Sequence, residues 1–200
     1  MAVKERRERE RAERRQLILR SARELAEAEG WEAVTTRRLA DRVEYSQPVL
    51  YSHFAGKDAI VAAVAVEGFA ELAAELRTAR AGAGRADAAL RAVADSYVEF
   101  ARTHPALYDA MFAQPVGLTF GTGESPAAAR EAFDELRTAL LSVVAGHDLE
   151  SLTEVFWSSL HGLVSLGRGH RLRVDHAAAR LDILVDYVAS PHGHRTGPPP

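Results

Sequence analysis

The segment from Thr35 to Lys57, TTRRLADRVEYSQPVLYSHFAGK, limits the fold of this chain more than any other. It predicts two short helices joined by a tight turn. Thr35 is a suitable N-terminal cap for the first helix and Ser46 for the second. Pro48 falls in the first turn of the second helix, where its missing N–H removes no hydrogen bond. The apolar residues of both helices are expected in the core: Leu39, Ala40, Val43, Leu50 and Phe54.

The second helix of this pair has a polar face. Its apolar residues are expected to point to the core, while Gln47, Tyr51, Ser52 and His53 point outward. A short helix with one buried side and one polar side is suited to enter a groove, and the major groove of DNA is wide enough to admit an α-helix. The segment therefore predicts a transcription regulator and not an enzyme.

The rest of the chain has the composition of an all-α protein. Its 200 residues suit one or two small domains, and they are rich in Ala, Leu, Arg and Glu with almost no long β-branched run. Helical periodicity and turn residues predict about nine helices. Their approximate ranges are 8–29, 35–43, 46–54, 58–81, 86–103, 104–113, 125–145, 148–167 and 174–189, with a Gly- and Pro-punctuated loop at 114–125.

The charge is unevenly distributed along the chain. The formal net charge is -3, yet residues 1–23 hold nine Lys or Arg against four Glu, a local charge of +5. A basic arm on an acidic body indicates a phosphate-binding surface at one end only. The alternative is a solvated first helix, because RERERAERR also offers Glu–Arg pairs four residues apart. The neighbouring helix pair favours the DNA interpretation.

Several other classes of protein are disfavoured. The absence of cysteine excludes disulfides, thiolate metal sites and thiol catalysis, and no apolar run has the length of a bilayer span or a signal peptide, so we expect a cytoplasmic protein. The FGTGES loop lacks a P-loop lysine, and no catalytic motif is found. His192 and His194 provide too few ligands for a metal site. We therefore expect no enzymatic activity, cofactor or metal.

The last two predicted helices are apolar on more than one side, and such helices need cover from more than one direction. We interpret this as a symmetric dimer in which both helices pair with their copies in a four-helix bundle. The alternative is deep burial within one chain. The predicted interface residues are Phe156, Leu160, His161, Leu163, Leu181, Leu184, Val185 and Val188.

Helix 1, the helix pair and the following GKDAI resemble the DNA-binding domain of the TetR family of transcriptional regulators over roughly residues 10–62. The run from Trp157 to Gly162, WSSLHG, resembles the Trp-x-x-x-His-Gly pattern of one subset of TetR-like regulatory domains, and HPALYDAMF at 104–112 is similar to the same subset. The resemblance implies a domain 1–56 with basic arm and helix-turn-helix and a helical effector-binding and dimerisation domain 57–190. The composition of residues 191–200 predicts a disordered tail.

The resemblance also implies a set of DNA contacts. Gln47 is expected to reach a base edge, Pro48 and Val49 to touch a thymine methyl, and the other residues to contact phosphate or support the helix. In this interpretation Tyr51 is equally compatible with being a packed aromatic. The full set is Thr36, Arg37, Ser46, Gln47, Pro48, Val49, Tyr51, Ser52, His53 and Lys57.

Two positions of the motif have physical consequences of their own. Lys57 is a cation in the first turn of a helix, where it opposes the helix dipole; we infer that fold stability does not explain it and that a phosphate contact does. Glu44 stands where the family usually has Gly, a residue that tolerates positive φ. Glu44 must therefore bear strain or adopt another turn geometry.

The resemblance further implies a dimeric repressor that releases a palindromic operator when a small molecule enters the C-terminal domain. The helix carrying Lys57 would then move the two reading heads away from their half-site spacing. An apolar or aromatic effector suits the predicted lining of the effector site. The alternative for these lining residues is an ordinary aromatic core. The alternative for the whole protein is a helical DNA-binding or interaction protein without effector response. The lining residues are Phe100, His104, Tyr108, Met111, Phe112, Phe133 and Trp157.

Overall fold

The computed structural model describes residues 2–115, 125–141 and 148–189, and within these ranges it contains nine α-helices and no β-strand. The all-α prediction with about nine helices is confirmed. The helices are α1 Ala2–Glu29, α2 Thr36–Arg42, α3 Gln47–His53, α4 Lys57–Gly82, α5 Ala86–Thr103, α6 Pro105–Phe112, α7 Ala127–Leu141, α8 Leu149–Arg168 and α9 Ala177–Ala189, with short 3-10 turns at Trp31–Ala33 and Val174–His176.

The main difference from the predicted boundaries is the length of α1, which begins at Ala2 and not near residue 8. Ion pairs four residues apart, such as Lys4–Glu8 and Arg6–Glu10, support its exposed first turns. Gly30 ends the helix with φ 83°, as its type predicts. Most of the predicted 114–125 loop, the predicted helix end at 142–145 and the 191–200 tail lie outside the described residues.

The chain divides into two compact units. The first comprises the described residues of Met1–Glu71 and Phe100–Arg130, and the second those of Leu72–Glu99 and Glu131–Pro200. The sequence had predicted a boundary between two domains at residue 56. The unit that holds α2 and α3 therefore also includes α6 and the first half of α4. None of the described helices combines the length and apolar character that a membrane span requires.

The core of the first unit forms around one face of α1 and the inner sides of α2 and α3. Ile18, Ala22 and Leu25 are at most 4% exposed. Trp31 and Val34, which follow the helix end at Gly30, are buried as well. The five residues expected in the core of the helix pair are all buried, which confirms the prediction for Leu39, Ala40, Val43, Leu50 and Phe54.

Helix α6 is bonded to α1 and to the turn that follows it. The Glu27 carboxylate accepts hydrogen bonds from the backbone N–H groups of Ala106 (3.1 Å) and Leu107 (3.2 Å). These groups lie in the first turn of α6, where no partner exists within the helix. The Trp31 indole N–H donates to the Ala106 carbonyl at 2.7 Å. Three hydrogen bonds therefore attach the start of α6 to the end of α1 and to the turn that follows it.

A close approach joins α6 to α4 within the same unit. A Cβ placed on Gly68 would lie 2.8 Å from Leu107 Cδ1 and 2.8 Å from Met111 Sδ, closer than real Cβ contacts come. Glycine at this position lets the two helices pack backbone against side chain. Since α6 contacts both α1 and α4, a displacement of α6 within this unit acts on both helices.

The second unit has an apolar core and one buried acidic side chain. The Glu135 side chain is 10% exposed and accepts hydrogen bonds from Arg77 and Arg80, each at 2.8 Å. Burial of a carboxylate is tolerated here because two guanidinium groups compensate its charge. Trp157 donates its indole N–H to the hydroxyl of the buried Tyr97 at 3.1 Å. Arg91 forms a further ion pair with Asp182.

Candidate nucleic-acid interface

The turn between α2 and α3 begins with a two-bond cap at the end of α2. The backbone N–H of Tyr45 donates to the Ala40 carbonyl (3.0 Å), and that of Glu44 donates to the Asp41 carbonyl (3.4 Å). This pattern requires a left-handed residue after the last helical position, and Glu44 occupies it with φ 57°. Of the two alternatives left open by the sequence, the strained one is therefore found.

Relief of this strain is testable. We expect Glu44→Gly to raise the free energy of unfolding by about 0.5–1 kcal/mol, because glycine adopts the left-handed conformation without the Cβ clash. Glu44→Gln removes only the charge and should leave stability nearly unchanged while tightening DNA binding. Urea unfolding and fluorescence anisotropy with duplex DNA measure the two effects.

His170 provides the matched control, because it caps α8 in the same conformation, with φ 53°. His170→Gly should gain similar stability with no change in DNA affinity. A Glu44→Gly protein no more stable than the parent would contradict the strain argument.

Helix α3 presents a continuous exposed face. Gln47 and Pro48 are exposed, Val49 is 37% exposed and Tyr51 is 51% exposed, while Leu50 on the opposite side is fully buried. The predicted outward position is confirmed for Gln47, Tyr51 and Ser52, whereas His53 is partly buried. The outward side combines amide, methyl and hydroxyl groups, which are the groups that contact base edges and phosphates.

Two serines of α3 differ in detail from what their positions suggest. Ser46 is the N-terminal cap residue, as predicted, but its side chain makes no capping hydrogen bond. Its hydroxyl remains available to a ligand. The Ser52 hydroxyl donates to the Val49 carbonyl of its own helix at 2.6 Å. An exposed hydroxyl bonded in this way still has lone pairs that accept hydrogen bonds.

Helix α2 contributes one arginine without an ion pair in the described part of the chain. Arg38 pairs with Glu29 and Arg42 pairs with Glu24, both at 2.8 Å. The hydrogen bond from Arg38 lowers the pKa of Glu29, so this carboxylate stays charged. Arg37 is exposed and has no such partner there. Its guanidinium is therefore the cation of α2 that remains free for phosphate.

The hydroxyls of Thr36 and Tyr51 lie 3.5 Å apart. This contact connects the start of α2 to the outward side of α3. Thr36 therefore adjoins the exposed face of α3, and the exposed Arg37 follows it in α2.

His53 at the end of α3 is partly buried beside three arginines. Burial lowers the pKa of its imidazole, and the charges of Arg11, Arg14 and Arg15 lower it further. The imidazole is consequently neutral at neutral pH and presents one donor and one acceptor. A phosphate at this position would offset the repulsion from the arginines.

Lys57 has a structural partner that the sequence did not indicate. Its Nζ donates to the Trp31 carbonyl at 2.6 Å, which connects the start of α4 to the turn after α1. The inference that fold stability does not explain this lysine is therefore wrong. A contact between Lys57 and phosphate stays a prediction, since an ammonium has three N–H donors.

Two family models match the chain. The model described as bacterial regulatory proteins, tetR family, matches residues 18–64, and a tetracyclin repressor-like C-terminal domain matches residues 90–188. An uncharacterized HTH-type transcriptional regulator of Mycobacterium tuberculosis is 32% identical over 157 residues, which cover 76% of this chain and 69% of that protein.

The chain belongs to the TetR family.

Two further comparisons agree with this assignment. The class C tetracycline repressor of Escherichia coli is 47% identical over 51 residues, 26% of this chain and 23% of the repressor. The solved structure of a Rhodococcus protein of unknown function has the same fold, with a TM-score of 0.74, 23% identity and coverage of 88% of this chain and 93% of its own. The prediction of a TetR family transcriptional regulator with a DNA-binding helix-turn-helix is confirmed; the Trp-x-x-x-His-Gly subset stays a prediction.

The seven residues predicted to line an effector site in this TetR family protein divide between the two units. Phe100, Tyr108 and Met111 are buried in the first unit, where His104 and Phe112 are partly buried. In the second unit, Phe133 and Trp157 contact each other edge to face, with ring centroids 6.5 Å apart. The five residues of the first unit belong to α5 and α6 and to the residue between them, so they adjoin the hydrogen bonds from α1.

The residues predicted for a dimer interface are mostly interior. Within the protomer, five of the eight have at most 7% of their surface exposed, so these side chains have almost no surface to offer a partner: Phe156, Leu160, Leu181, Val185 and Val188. These five residues fit the alternative prediction, which was burial within one chain. His161, Leu163 and Leu184 are partly exposed, and burial lowers the pKa of the His161 imidazole.

Sequence reasoning missed the groups that support the helix pair from outside it. Arg11 and Arg15 each place a guanidinium nitrogen 3.4 Å from a carbonyl at the end of α3, on Ser52 and His53 respectively. Arg15 also lies over the Phe54 ring, 4.2 Å from its centroid. The excess of basic residues before residue 23 was the available signal, but it does not identify which arginines contact α3.

Proposed function

We propose that this TetR family protein is a homodimeric repressor whose two α3 helices bind a palindromic operator, and that a small apolar or aromatic effector releases it. The observation that supports the proposal best is the outward side of α3. Gln47, Val49 and Tyr51 are exposed there, and the buried Leu50 and Phe54 hold the helix in place. Exposed groups of this kind on a rigidly packed helix match the requirements of major-groove reading.

The surface suggests separate roles for two neighbouring residues. Gln47 lies in the first turn of α3, the part of a recognition helix that contacts bases, and its amide suits the N6 and N7 atoms of adenine. Arg37 lies on α2 and has no ion pair in the described chain, which suits a phosphate. Base contacts determine sequence preference, whereas phosphate contacts strengthen binding to every sequence.

A pair of substitutions tests this division. We expect Gln47→Ala to relax the sequence preference at one base pair by about 1–3 kcal/mol. We expect Arg37→Gln to weaken binding to specific and random duplexes alike, and to reduce by about 1 the slope of the binding constant against salt concentration on logarithmic scales. Lys57→Ala would also weaken binding to all sequences, but it removes the hydrogen bond to the Trp31 carbonyl as well. Substitution of Arg37 therefore tests the phosphate contact without this structural change. Equal effects of Gln47→Ala on specific and random DNA would show that α3 does not read bases.

The proposed function is tested most directly by selecting bound fragments from random duplex DNA with the purified full chain. Enrichment of a palindrome is expected, because two-fold symmetry of a dimer imposes two-fold symmetry on its site. Salt-dependent binding that is equal on all duplexes would contradict the proposal and would favour a helical protein that binds DNA without sequence preference.

We infer a dimer surface on α8 from residues that are exposed in the protomer. Val155 is 58% and Leu166 is 43% exposed, and with Ser159 and Gly162 they follow a single line along the helix. A Cβ on Gly162 would meet nothing within 4 Å in the protomer, so another helix has room to approach there. Apolar ends around small central residues suit close helix packing.

Helix α9 offers a second exposed apolar pair. Ile183 is 68% exposed and Tyr187 is 66% exposed, and they lie one turn apart. The two helices therefore each carry an apolar line in addition to the one they bury. We place the dimer contact on these lines, with the partly exposed His161, Leu163 and Leu184 beside them.

The proposed effector response depends on α6. The rings of Phe100 and His104 lie tilted against each other with centroids 5.1 Å apart, and those of Tyr108 and Phe112 with centroids 4.7 Å apart. An aromatic ligand that inserts among these rings would displace α6. Since Glu27 and Trp31 bind the first turn of α6, the displacement would act on the end of α1 and, through the Trp31 carbonyl, on Lys57 of α4.

This response is a shift in population between an operator-binding and a released conformation. The selected operator should be titrated with protein in the absence and presence of candidate aromatic ligands. We expect at least one ligand that binds the protein to weaken operator binding by about 10-fold or more, in line with typical coupling energies. Identical operator affinity of the apo and ligand-saturated protein would contradict the effector proposal and leave DNA binding intact.

A further inference from the structure

The first turns of α1 carry their positive charge mainly on one side. Ile18 and Leu25 are buried, and steps of seven residues back along the helix lead to Arg11 and Lys4 on the same side. The adjacent positions on that side are also basic. We call this set the basic stripe: Lys4, Arg7, Arg11, Arg14 and Arg15.

The rest of the same helix segment is not basic. Glu8 is the one acidic residue that shares the side of the basic stripe, whereas Glu5, Glu10 and Glu13 lie away from it together with Arg6 and Arg9. The mixture of charges that the sequence suggests is therefore sorted by the helix into a strongly basic side and a nearly neutral remainder.

The basic stripe faces the same side as α3. Arg11 and Arg15 are members of the stripe, and they approach the Ser52 and His53 carbonyls at the end of α3. Cations at this position stabilise the negative end of the α3 dipole, which is a sufficient structural role for both residues. Lys4 and Arg7 lie further along the stripe and form no hydrogen bond with a described residue of α3. Stabilisation of the α3 dipole therefore does not account for them.

The remaining contacts of the stripe are weak. Lys4 pairs with Glu8 at 3.9 Å and Arg14 with Glu10 at 4.0 Å, both on the exposed surface, and Arg7 has no ion pair with a described residue. Exposed pairs of this kind contribute about 0–1 kcal/mol and exchange readily for a stronger anion. The stripe from residue 4 to 15 extends for about 16 Å, a length over which a DNA strand presents several phosphates.

We propose that the basic stripe binds the DNA backbone outside the half-site that α3 reads, so that the operator footprint of each protomer includes flanking base pairs of any sequence. The inference rests on the proposed binding of α3 to an operator. The occupant is duplex phosphate because the stripe adjoins the end of α3, whose outward side is the proposed base-reading surface. Its affinity is electrostatic and therefore depends on salt and not on the flanking sequence.

The chain offers a matched pair of double variants. Lys4→Gln with Arg7→Gln removes two charges from the basic stripe, and Arg6→Gln with Arg9→Gln removes two charges from outside it. Each double variant loses one exposed ion pair, Lys4–Glu8 or Arg6–Glu10. Glutamine keeps a helix propensity close to that of Lys and Arg, and circular dichroism verifies that α1 remains folded. The two proteins then differ only in which side of α1 is discharged.

Binding is measured by fluorescence anisotropy over a range of salt concentrations, on the selected palindrome alone and on the same palindrome extended at each end by about ten base pairs, roughly one turn of DNA. The parent should bind the extended duplex more tightly. The stripe variant should lose this advantage, with affinity reduced by roughly 10- to 100-fold at about 0.1 M salt and a salt slope lower by about 1.8 per protomer. The control variant should keep it.

The basic stripe is not a binding surface if both double variants lose the same affinity, or if the parent binds the palindrome equally well with and without flanking base pairs. Either result leaves the preference of the protein for the palindrome intact. A parent without preference for any selected duplex would overturn the proposed function and this inference together.

Discussion

Replacing Trp31 with alanine is expected to lower the free energy of unfolding by about 3–5 kcal/mol, the range for removal of a large buried aromatic side chain. Trp31 is only 4% exposed, and its indole N–H donates to the Ala106 carbonyl at 2.7 Å. The substitution therefore creates a cavity and leaves a buried carbonyl without that donor. Urea unfolding followed by circular dichroism, at one protein concentration, gives the difference.

Trp31→Phe separates the hydrogen bond from the volume. It keeps an aromatic ring but not the indole N–H, so a loss of about 1–3 kcal/mol is expected. Trp157→Phe is the matched control, because Trp157 is less buried and donates to a hydroxyl, Tyr97 Oη, that is able to reorient. We expect a smaller loss there. If Trp31→Phe is as stable as the parent, the attachment of α6 to the turn after α1 does not depend on this bond.

If the proposed homodimer forms through α9, Ile183→Glu shifts it to monomer and reduces affinity for the proposed operator by about a hundredfold or more, since two linked reading heads bind far more tightly than one. The side chain is 68% exposed in the protomer, so the substitution should leave the fold of the protomer unchanged. A charge on an apolar contact surface must be desolvated on association, which disfavours the dimer. Analytical ultracentrifugation and anisotropy measure the two effects.

Leu141→Glu serves as the control for Ile183→Glu. Leu141 is similarly exposed, at 63%, but lies at the end of α7, outside the proposed surface on α8 and α9. This variant should remain dimeric and bind the operator like the parent. An Ile183→Glu protein with an unchanged sedimentation coefficient would exclude α9 as part of the dimer contact.

The helix-turn-helix was predictable because its determinants are local. Thr35 caps α2 and accepts the Arg38 N–H, Gly30 ends α1 with positive φ, and Pro48 occupies the first turn of α3. Each of these choices depends on residues within one helical turn of the position concerned. The buried and exposed sides of α3 follow from the same short-range periodicity.

The contacts that support α3 and the start of α4 from other segments were not predictable in the same way. Lys57 reaches a carbonyl 26 residues away, Glu27 binds N–H groups 79 and 80 residues away, and Arg11 and Arg15 lie 41 and 38 residues before their partners. No periodicity connects such positions. The dipole argument for Lys57 failed for this reason, because it considered one helix and omitted the carbonyl that another segment provides.

In the apolar helices α8 and α9, the sequence likewise predicts the local pattern, whereas packing decides which side is covered. Their sequences have hydrophobic residues on more than one side, so one stripe does not account for them. Periodicity alone does not tell which apolar side is internal, and the sequence prediction assigned Phe156, and not Val155, to a partner surface. Packing in the second unit buries Phe156 completely and leaves Val155 58% exposed.

The sequence by itself determined the all-α fold and the helix-turn-helix with its outward residues, since caps, turns and periodicity act over a few residues. Membership of the TetR family followed from the resemblance of its motif and from the matching family models. The tertiary structure decided which apolar sides are covered, how α6 is attached to α1, and that Arg11 and Arg15 of α1 lie beside the end of α3. Those properties depend on which distant segments meet, and only the packing of the folded chain brings the segments together.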